Sequence, residues 1–235
     1  MRHTAILMLL ALAPCGCRSA QPRFEYATPT GVARSDDEHV ARAIAEIADS
    51  FSAPVAREME VDQPPPFVIH HVHHVPTPFG GGVWVVRDRA GRVVDRHIVI
   101  SNLGLMQARF AIAHELVHWY ASRTWDRLPH AVEEGLADSI ALKLAPEWKQ
   151  IRELELDLRL NEITPERRAL ALQVTERQWE AAPTQVREDA YAVGFEIVQR
   201  LGVARLRALC VMAEAAGLDR VPVPWLMCTV EPPTE

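Results

Sequence analysis

The segment His114-Glu115-Leu116-Val117-His118 lies inside an apolar run from Leu103 to Tyr120. In a helix, residues four apart lie one turn apart on the same face, so His114 and His118 can direct their imidazoles to one point. Two neutral imidazoles at this spacing supply half of a tetrahedral zinc site. Glu115 is rotated by about 100° from His114, so its carboxylate lies beside the metal, where it can take a proton from water. The spacing therefore encodes two metal ligands and a general base.

Apolar residues flank this motif on nearly every side, which predicts a buried helix. Charged and polar side chains in such a helix are costly unless partners satisfy them, and a bound metal supplies such partners. The simpler alternative is a pair of core histidines bonded to the backbone, with Glu115 facing solvent. The apolar neighbours are Phe110, Ala111, Ile112, Ala113, Leu116, Val117, Trp119 and Tyr120.

A second motif, Glu133-Glu134-Gly135-Leu136-Ala137-Asp138, begins fifteen residues after His118. A catalytic zinc site needs a third protein ligand and one open position, and Glu134 can be that ligand. Asp138 follows one helical turn later, where it can accept a hydrogen bond from the second ring nitrogen of a ligand histidine. Glu133 is the rival candidate for the third ligand.

Together the two motifs resemble those of the gluzincin metallopeptidases, the thermolysin-like zinc peptidases of the MA clan. The resemblance covers residues 67–200, although only the two motifs are specific. It implies zinc as the cofactor, a peptide or protein as the substrate, and Glu134 as the third ligand. It also implies that Asp138 braces the first histidine and that Glu133, which lacks partners at the family's offsets, faces solvent.

The same resemblance suggests a role for Tyr191, in the segment Tyr191-Ala192-Val193-Gly194-Phe195. Several gluzincin groups have a tyrosine-bearing helix after the zinc helices, and in some members a later Tyr or His stabilises the oxyanion formed on the peptide carbonyl. Such a donor is worth roughly 3 kcal/mol. The alternative is a core tyrosine that bonds its hydroxyl locally.

Residues 1–17 have the composition of a signal peptide, in which Arg2 precedes an apolar run from Ala5 to Ala13. This run is too short to span a bilayer. Cys15 or Cys17 suggests a bacterial lipoprotein signal, with plain secretion to the periplasm or medium as the alternative. We therefore expect an exported protein of the cell envelope.

All 235 residues together are 49% hydrophobic and 24% charged with a net charge of −6, which is typical of a globular protein, and the part after the signal peptide is expected to be soluble. Residues 18–34 are expected to be a tether and residues 35–235 a single metallopeptidase-like domain. Because basic residues form no stripe or patch, nucleic acid is excluded as a partner. Membrane contact is expected only through an N-terminal lipid.

The predicted fold class is α+β, a small antiparallel sheet followed by a mostly helical zinc-peptidase domain. By resemblance, Gly82 to Val86 could be the edge strand that aligns an extended substrate. Strands are predicted at Phe67 to Val72, Val83 to Arg87 and Val93 to Ser101. Helices other than the two motif helices are predicted from the capping box Ser35-Asp36-Asp37-Glu38, from Pro146 to Leu160, from Thr164 to Ala181 and from Thr184 to Leu201.

Three other features have less specific interpretations. The cluster from His70 to His74 is expected to be solvated, because a strand would place no three of its histidines on one side. Cys210 and Cys228 could form a disulfide in an exported protein or remain two buried thiols. His130 could line the cleft.

The sequence thus predicts zinc-dependent hydrolysis of a peptide bond, and a modest single domain favours an endopeptidase. The competing hypothesis is a zinc-stabilised binding or scaffold protein of the cell envelope that does not turn over a substrate. Both share every metal ligand, so only Glu115, which a structural site would not need, separates them.

Overall fold

The computed structural model describes residues 22–62, 64–72, 81–87, 93–101, 104–121, 125–179 and 181–227. Within these ranges five strands form one sheet and most other residues are helical, so the α+β class is confirmed. The strands are β1 (Phe24–Thr28), β2 (Gly31–Ser35), β3 (Phe67–His71), β4 (Gly81–Arg87) and β5 (Val93–Ile100).

The sheet is mixed, and the prediction of an antiparallel sheet was wrong. Its strand order is β1-β2-β3-β5-β4, in which β2 runs parallel to β3 and β3 parallel to β5, while the two outer pairs are antiparallel. The helix Glu38–Glu58 between β2 and β3 carries the chain back along the sheet, so these two strands run in the same direction. Strand β4 forms one edge of the sheet.

Residues 24–35 belong to the sheet, which corrects the expectation of a tether over 18–34. Along β2 the buried residues Ala33 and Ser35 alternate with less buried ones, as in a half-buried strand. Because both buried side chains are small, the sequence pattern of β2 gives only a weak strand signal. The strand is held in the sheet by its pairing with β3, in which Gly31 lies opposite Phe67.

The helix predicted from the capping box follows β2, and its apolar residues Ile44, Ala48 and Phe51 are buried. Its N-cap is Asp37, whose carboxylate accepts hydrogen bonds from the backbone of His39 and Val40. The helices are α1 (Glu38–Glu58), α2 (Leu105–Ala121), α3 (His130–Leu144), α4 (Lys149–Glu162), α5 (Pro165–Gln173), α6 (Glu176–Trp179), α7 (Thr184–Leu201), α8 (Val203–Ala215) and α9 (Val223–Met227), with a short 3₁₀ helix at Pro146–Trp148.

Helix α3 packs between α2 and α7, and two glycines permit the contact with α7. A Cβ atom on Gly194 would lie 1.7 Å from the carbonyl oxygen of Ala131, and one on Gly135 would lie 2.1 Å from the carbonyl carbon of Gly194. The two backbones therefore touch at this crossing. The glycine after Glu134 is thus explained by packing, and the crossing sets how close α7 comes to the first histidine of α2.

Helix α4 does not bury the apolar residues that lie at helical spacing in its sequence. Ile151, Leu154 and Leu158, at helical spacing, are all exposed, whereas Arg152 and Leu156 face inward. The helix predicted from Thr164 to Ala181 is divided into α5 and α6, whereas α7 has the predicted bounds.

Several expectations concern residues outside the described ranges. These are the signal peptide at 1–17 with Cys15 and Cys17, two histidines of the 70–74 cluster, and Cys228. Cys210 is buried, and its disulfide with Cys228 stays a prediction. In the described part of the chain, no helix has both the length and the apolarity that crossing a membrane requires.

Candidate metal centre

Helix α2 places His114 and His118 in successive turns with their imidazoles directed at one point. The two Nε2 atoms are 3.1 Å apart, and the ring planes meet at 63°. His114 is buried, with 2% of its surface exposed, while His118 is partly buried. The apolar neighbours in α2 are buried as the sequence predicts, so two polar rings meet inside the core.

Helix α3 brings Glu134 to the same point. Its Oε2 lies 3.2 Å from Nε2 of His114 and 3.5 Å from Nε2 of His118. A tetrahedral zinc ion with metal–nitrogen bonds of 2.0–2.1 Å separates its ligand atoms by about 3.3 to 3.4 Å. The three observed separations lie on either side of that value, so the residues present fit a zinc ion.

The outer nitrogens of both imidazoles bond to carboxylates on α3. Nδ1 of His114 donates to Oδ1 of Asp138 and Nδ1 of His118 donates to Oε1 of Glu133, each over 2.9 Å. Because carboxylates accept these bonds, the neutral rings carry their protons on Nδ1, and their Nε2 lone pairs face Oε2 of Glu134. Three acceptors facing one another repel unless a cation lies between them. Glu133 is therefore a partner of His118, and the expectation that it faces solvent was wrong.

The electrostatics of the triangle favour a cation. Burial lowers the pKa of His114, but its hydrogen bonds to Asp138 and Glu134 outweigh burial and raise the pKa from 6.5 to about 9. Burial raises the pKa of Glu134, but His118, His114 and His130 hold it well below its usual range. Without a metal, protons on the two imidazoles supply the positive charge beside Glu134.

Asp138 is itself held by Arg152, a residue that the sequence motifs did not reveal. The guanidinium donates to Oδ2 through Nε at 3.0 Å and Nη2 at 2.7 Å. Asp138 is fully buried, so its charge needs this partner. No local sequence pattern indicated that Arg152 faces inward, because the apolar residues that lie at helical spacing in α4 are at other positions and are exposed.

Glu115 lies beside the triangle and is not part of it. It is buried, with 5% of its surface exposed, and burial raises its pKa above the usual 4.5, although His114 and His118 partly oppose the shift. A Cβ atom on Gly81 would lie 3.0 Å from Oε1 of Glu115. The edge strand β4 therefore begins in contact with this carboxylate.

Tyr191 lies close to the triangle on α7. Its ring centroid is 6.3 Å from that of His114 and 5.4 Å from that of Trp179, and the guanidinium of Arg152 lies over its face at 5.3 Å. Burial, followed by the charges of Glu134, Asp138 and Glu115, raises the pKa of Tyr191 well above 10. The hydroxyl therefore keeps its proton and can donate it to a hydrogen bond.

A cavity of about 670 Å³ lies between α2, α4 and α7, separated from His114 by two aromatic rings. Phe110 and Tyr191 form part of its wall, and both rings also lie near the ring of His114. Arg187 contributes a buried Nε that meets no hydrogen-bond acceptor among the described residues. The rest of the wall carries three arginines and three glutamates beside its apolar side chains, so the cavity is apolar in part and charged in part.

The cluster from His70 to His74 does not form a comparable site in the described residues. His71 bonds to Ser35 through Nδ1 at 3.0 Å, and the ring of His70 lies 4.7 Å from that of His97. The one group of metal-ligating side chains found among the described residues consists of His114, His118 and Glu134.

Comparisons of the chain with known protein families, with curated proteins and with solved structures gave no match. The fold and the cluster define the class, an α+β protein with a buried group of two histidines and a glutamate that could hold a metal ion.

Proposed function

We propose that this protein is a zinc-dependent peptidase of gluzincin type, exported to the cell envelope. His114, His118 and Glu134 are its metal ligands and Glu115 is its general base. The observation that carries the proposal is the triangle of Nε2, Nε2 and Oε2 atoms with separations of 3.1 to 3.5 Å. A carboxylate buried beside that triangle, and not in it, is what hydrolysis needs and what a purely structural site does not.

Zinc in this site supplies Lewis acidity toward the scissile carbonyl and the attacking water. Glu115 takes the proton of that water and later delivers it to the leaving amine. Its raised pKa suits this exchange, because a general base works best when its pKa lies close to the operating pH. The hydroxyl of Tyr191 donates a hydrogen bond to the developing oxyanion, and its raised pKa means that it stays protonated.

The substrate lies in an extended conformation along β4. This strand is an edge of the sheet, paired only with β5 among the described strands, so its outer backbone groups can bond to a peptide. Because Gly81 contacts Glu115, a peptide added at this end of the edge brings one of its bonds near the general base.

Metal analysis of the purified protein, combined with mass spectrometry of the products from a peptide library, tests this proposal. We expect one zinc per chain and defined cleavage products for the wild type. Glu115→Gln should keep the zinc and the fold and lose hydrolysis, because the amide cannot accept the proton. Glu46→Gln makes the same chemical change at an exposed position of α1 and should behave as wild type.

Two results would overturn the proposal. A folded wild type that binds no zinc would remove the metal site, and an unchanged rate in Glu115→Gln would remove the general base. Zinc bound at full occupancy with no products from any peptide would instead support the zinc-stabilised binding protein.

A further inference from the structure

Helix α3 supplies a partner for each imidazole in addition to the ligand Glu134. Asp138 and Glu133 hold the outer nitrogens of the two rings. Glu134 directs its Oε2 at the two imidazoles, and this orientation of the carboxylate also needs a partner. Its other oxygen, Oε1, lies near the first residue of α3.

His130, the first residue of α3, lies at that position. Its Nε2 is 3.3 Å from Oε1 of Glu134, one helical turn away. The side chain is 11% exposed, and its ring forms a T-shaped pair with that of Trp179 at a centroid distance of 4.4 Å and an angle of 81°. The ring is thus confined between an aromatic residue and the carboxylate.

The same nitrogen is buried and makes no properly oriented hydrogen bond with the described residues. A buried polar atom without a partner costs about 1 to 3 kcal/mol, so its position needs a reason. Glu134 Oε1 is within hydrogen-bonding distance and is misaligned only in angle. A small turn of either side chain would make the bond.

We propose that His130 is a positioning residue whose Nε2–H donates to Oε1 of Glu134 and so keeps that carboxylate a ligand through one oxygen only. This proposal rests on the zinc site of the proposed function. A carboxylate that turned both oxygens to the metal would take up the corner that water and the scissile carbonyl need. With Oε1 engaged by His130, Oε2 remains the single oxygen directed at the imidazoles.

His130 is not itself a member of the ligand group. The ligand atoms of His114, His118 and Glu134 all lie within 4.8 Å of one another, and His130 falls outside this set. It lies behind Glu134, on the side of Trp179. Its effect therefore passes through the carboxylate.

Two substitutions separate the hydrogen bond from ring packing. His130→Phe keeps a ring against Trp179 and removes the N–H group, whereas His130→Gln keeps an N–H donor and removes the ring. The exposed His39 of α1 provides the matched control, His39→Phe. Zinc affinity is measured by competition with a chelating dye, and the coordination number is measured from the visible spectrum of the cobalt-substituted protein.

We expect His130→Phe to weaken zinc binding roughly tenfold to a hundredfold, as loss of such outer partners does. Its cobalt spectrum should shift from a four-coordinate to a five-coordinate form, while His130→Gln and the control stay close to wild type. Should the phenylalanine variant not fold, His130→Leu gives the same comparison.

Wild-type affinity and an unchanged cobalt spectrum in the variant without the N–H group would overturn the role of His130 and leave the zinc site intact. Equal losses of zinc affinity in His130→Phe and His130→Gln would overturn it as well, because the glutamine variant keeps an N–H donor and should then keep its affinity. A wild type that binds no zinc would remove the proposed function itself, so the two failures are distinguishable.

Discussion

Arg152 holds the buried carboxylate of Asp138 through two hydrogen bonds to Oδ2, while Oδ1 accepts from His114. A chain of polar contacts thus runs from Arg152 on α4 through Asp138 on α3 to His114 on α2. The arrangement stabilises the first imidazole in the orientation that directs Nε2 into the triangle.

Arg152→Gln is expected to be strongly destabilising. It leaves the charge of Asp138, which is fully buried, without its counterion, and such losses cost roughly 3 to 5 kcal/mol. Urea unfolding in the presence of a chelator measures this cost without a contribution from metal binding. The control is Arg34→Gln, which breaks an exposed pair with Glu25 and should cost between about 0 and 1 kcal/mol. Equal costs for the two variants would contradict the structural role of Arg152.

Gly194→Ala should destabilise the protein even though alanine is the better helix former. The added Cβ would overlap the backbone of α3 at Ala131, which no side-chain rotation can relieve. Overpacking of this kind costs roughly 1 to 3 kcal/mol, against a helix-propensity gain of about 1 kcal/mol. Thermal unfolding measures the balance. Gly104→Ala, at an exposed and open position, serves as the control and should change stability little.

Tyr191→Phe tests the oxyanion donor. Removing one such donor lowers kcat by roughly 10² to 10³, and the phenylalanine ring should preserve packing against Trp179 and the zinc content. Steady-state kinetics on a cleaved peptide, with zinc analysis of the same sample, measure both. The control is Tyr26→Phe, which removes a tyrosine hydroxyl from β1, a strand that carries none of the proposed site residues, and should leave kcat unchanged. If kcat in Tyr191→Phe equals that of wild type, Tyr191 is a packing residue only.

The effect of pH on stability should depend on whether the metal is bound. The pKa of His114 is raised from 6.5 to about 9 in the metal-free protein, so its contribution is fully present below pH 6.5 and is lost as the pH rises through about 9. The pKa of His118 is raised as well, which adds to the same loss. We therefore expect the chelated protein to lose stability between these pH values.

The stabilisation that zinc provides should change with pH in the opposite direction, because zinc binds only the deprotonated imidazoles. The increase in melting temperature caused by a fixed zinc concentration should therefore grow between pH 6.5 and 9. Thermal unfolding with chelator and with zinc across this range measures both slopes. The pKa of Glu134 is lowered, so its contribution is lost only as the pH falls below 4.5, outside this window. A zinc-induced increase that shrinks with pH would contradict the ligand assignment.

Local sequence patterns were sufficient where periodicity alone sets the geometry. The spacing of His114 and His118 predicted two imidazoles on one helical face, and the structure places their Nε2 atoms 3.1 Å apart. The spacing of Glu134 and Asp138 likewise predicted a ligand candidate and a histidine partner on one face of α3, and both meet His114. The bounds of α7 were also predicted from its N-terminal signal and apolar stripe.

The sheet and α4 could not be predicted in the same way. Strand direction depends on which strands become neighbours, and β2 joins the sheet with only small side chains facing the core. In α4 three aliphatic side chains at helical spacing are exposed, whereas the guanidinium of Arg152 is buried against Asp138. A pattern of hydrophobic residues contains no information about such a long-range ion pair.

By itself the sequence determined the helices that carry the two motifs and the residues that face each other within one helical turn, since a helix repeats every 3.6 residues. The tertiary structure alone decided the partners that come from elsewhere in the chain. These are Glu133 on His118, Arg152 on Asp138, Trp179 on His130 and Gly81 against Glu115. Such contacts depend on how helices cross and strands pair, and the close crossing of α3 and α7 at two glycines is one of these determinants.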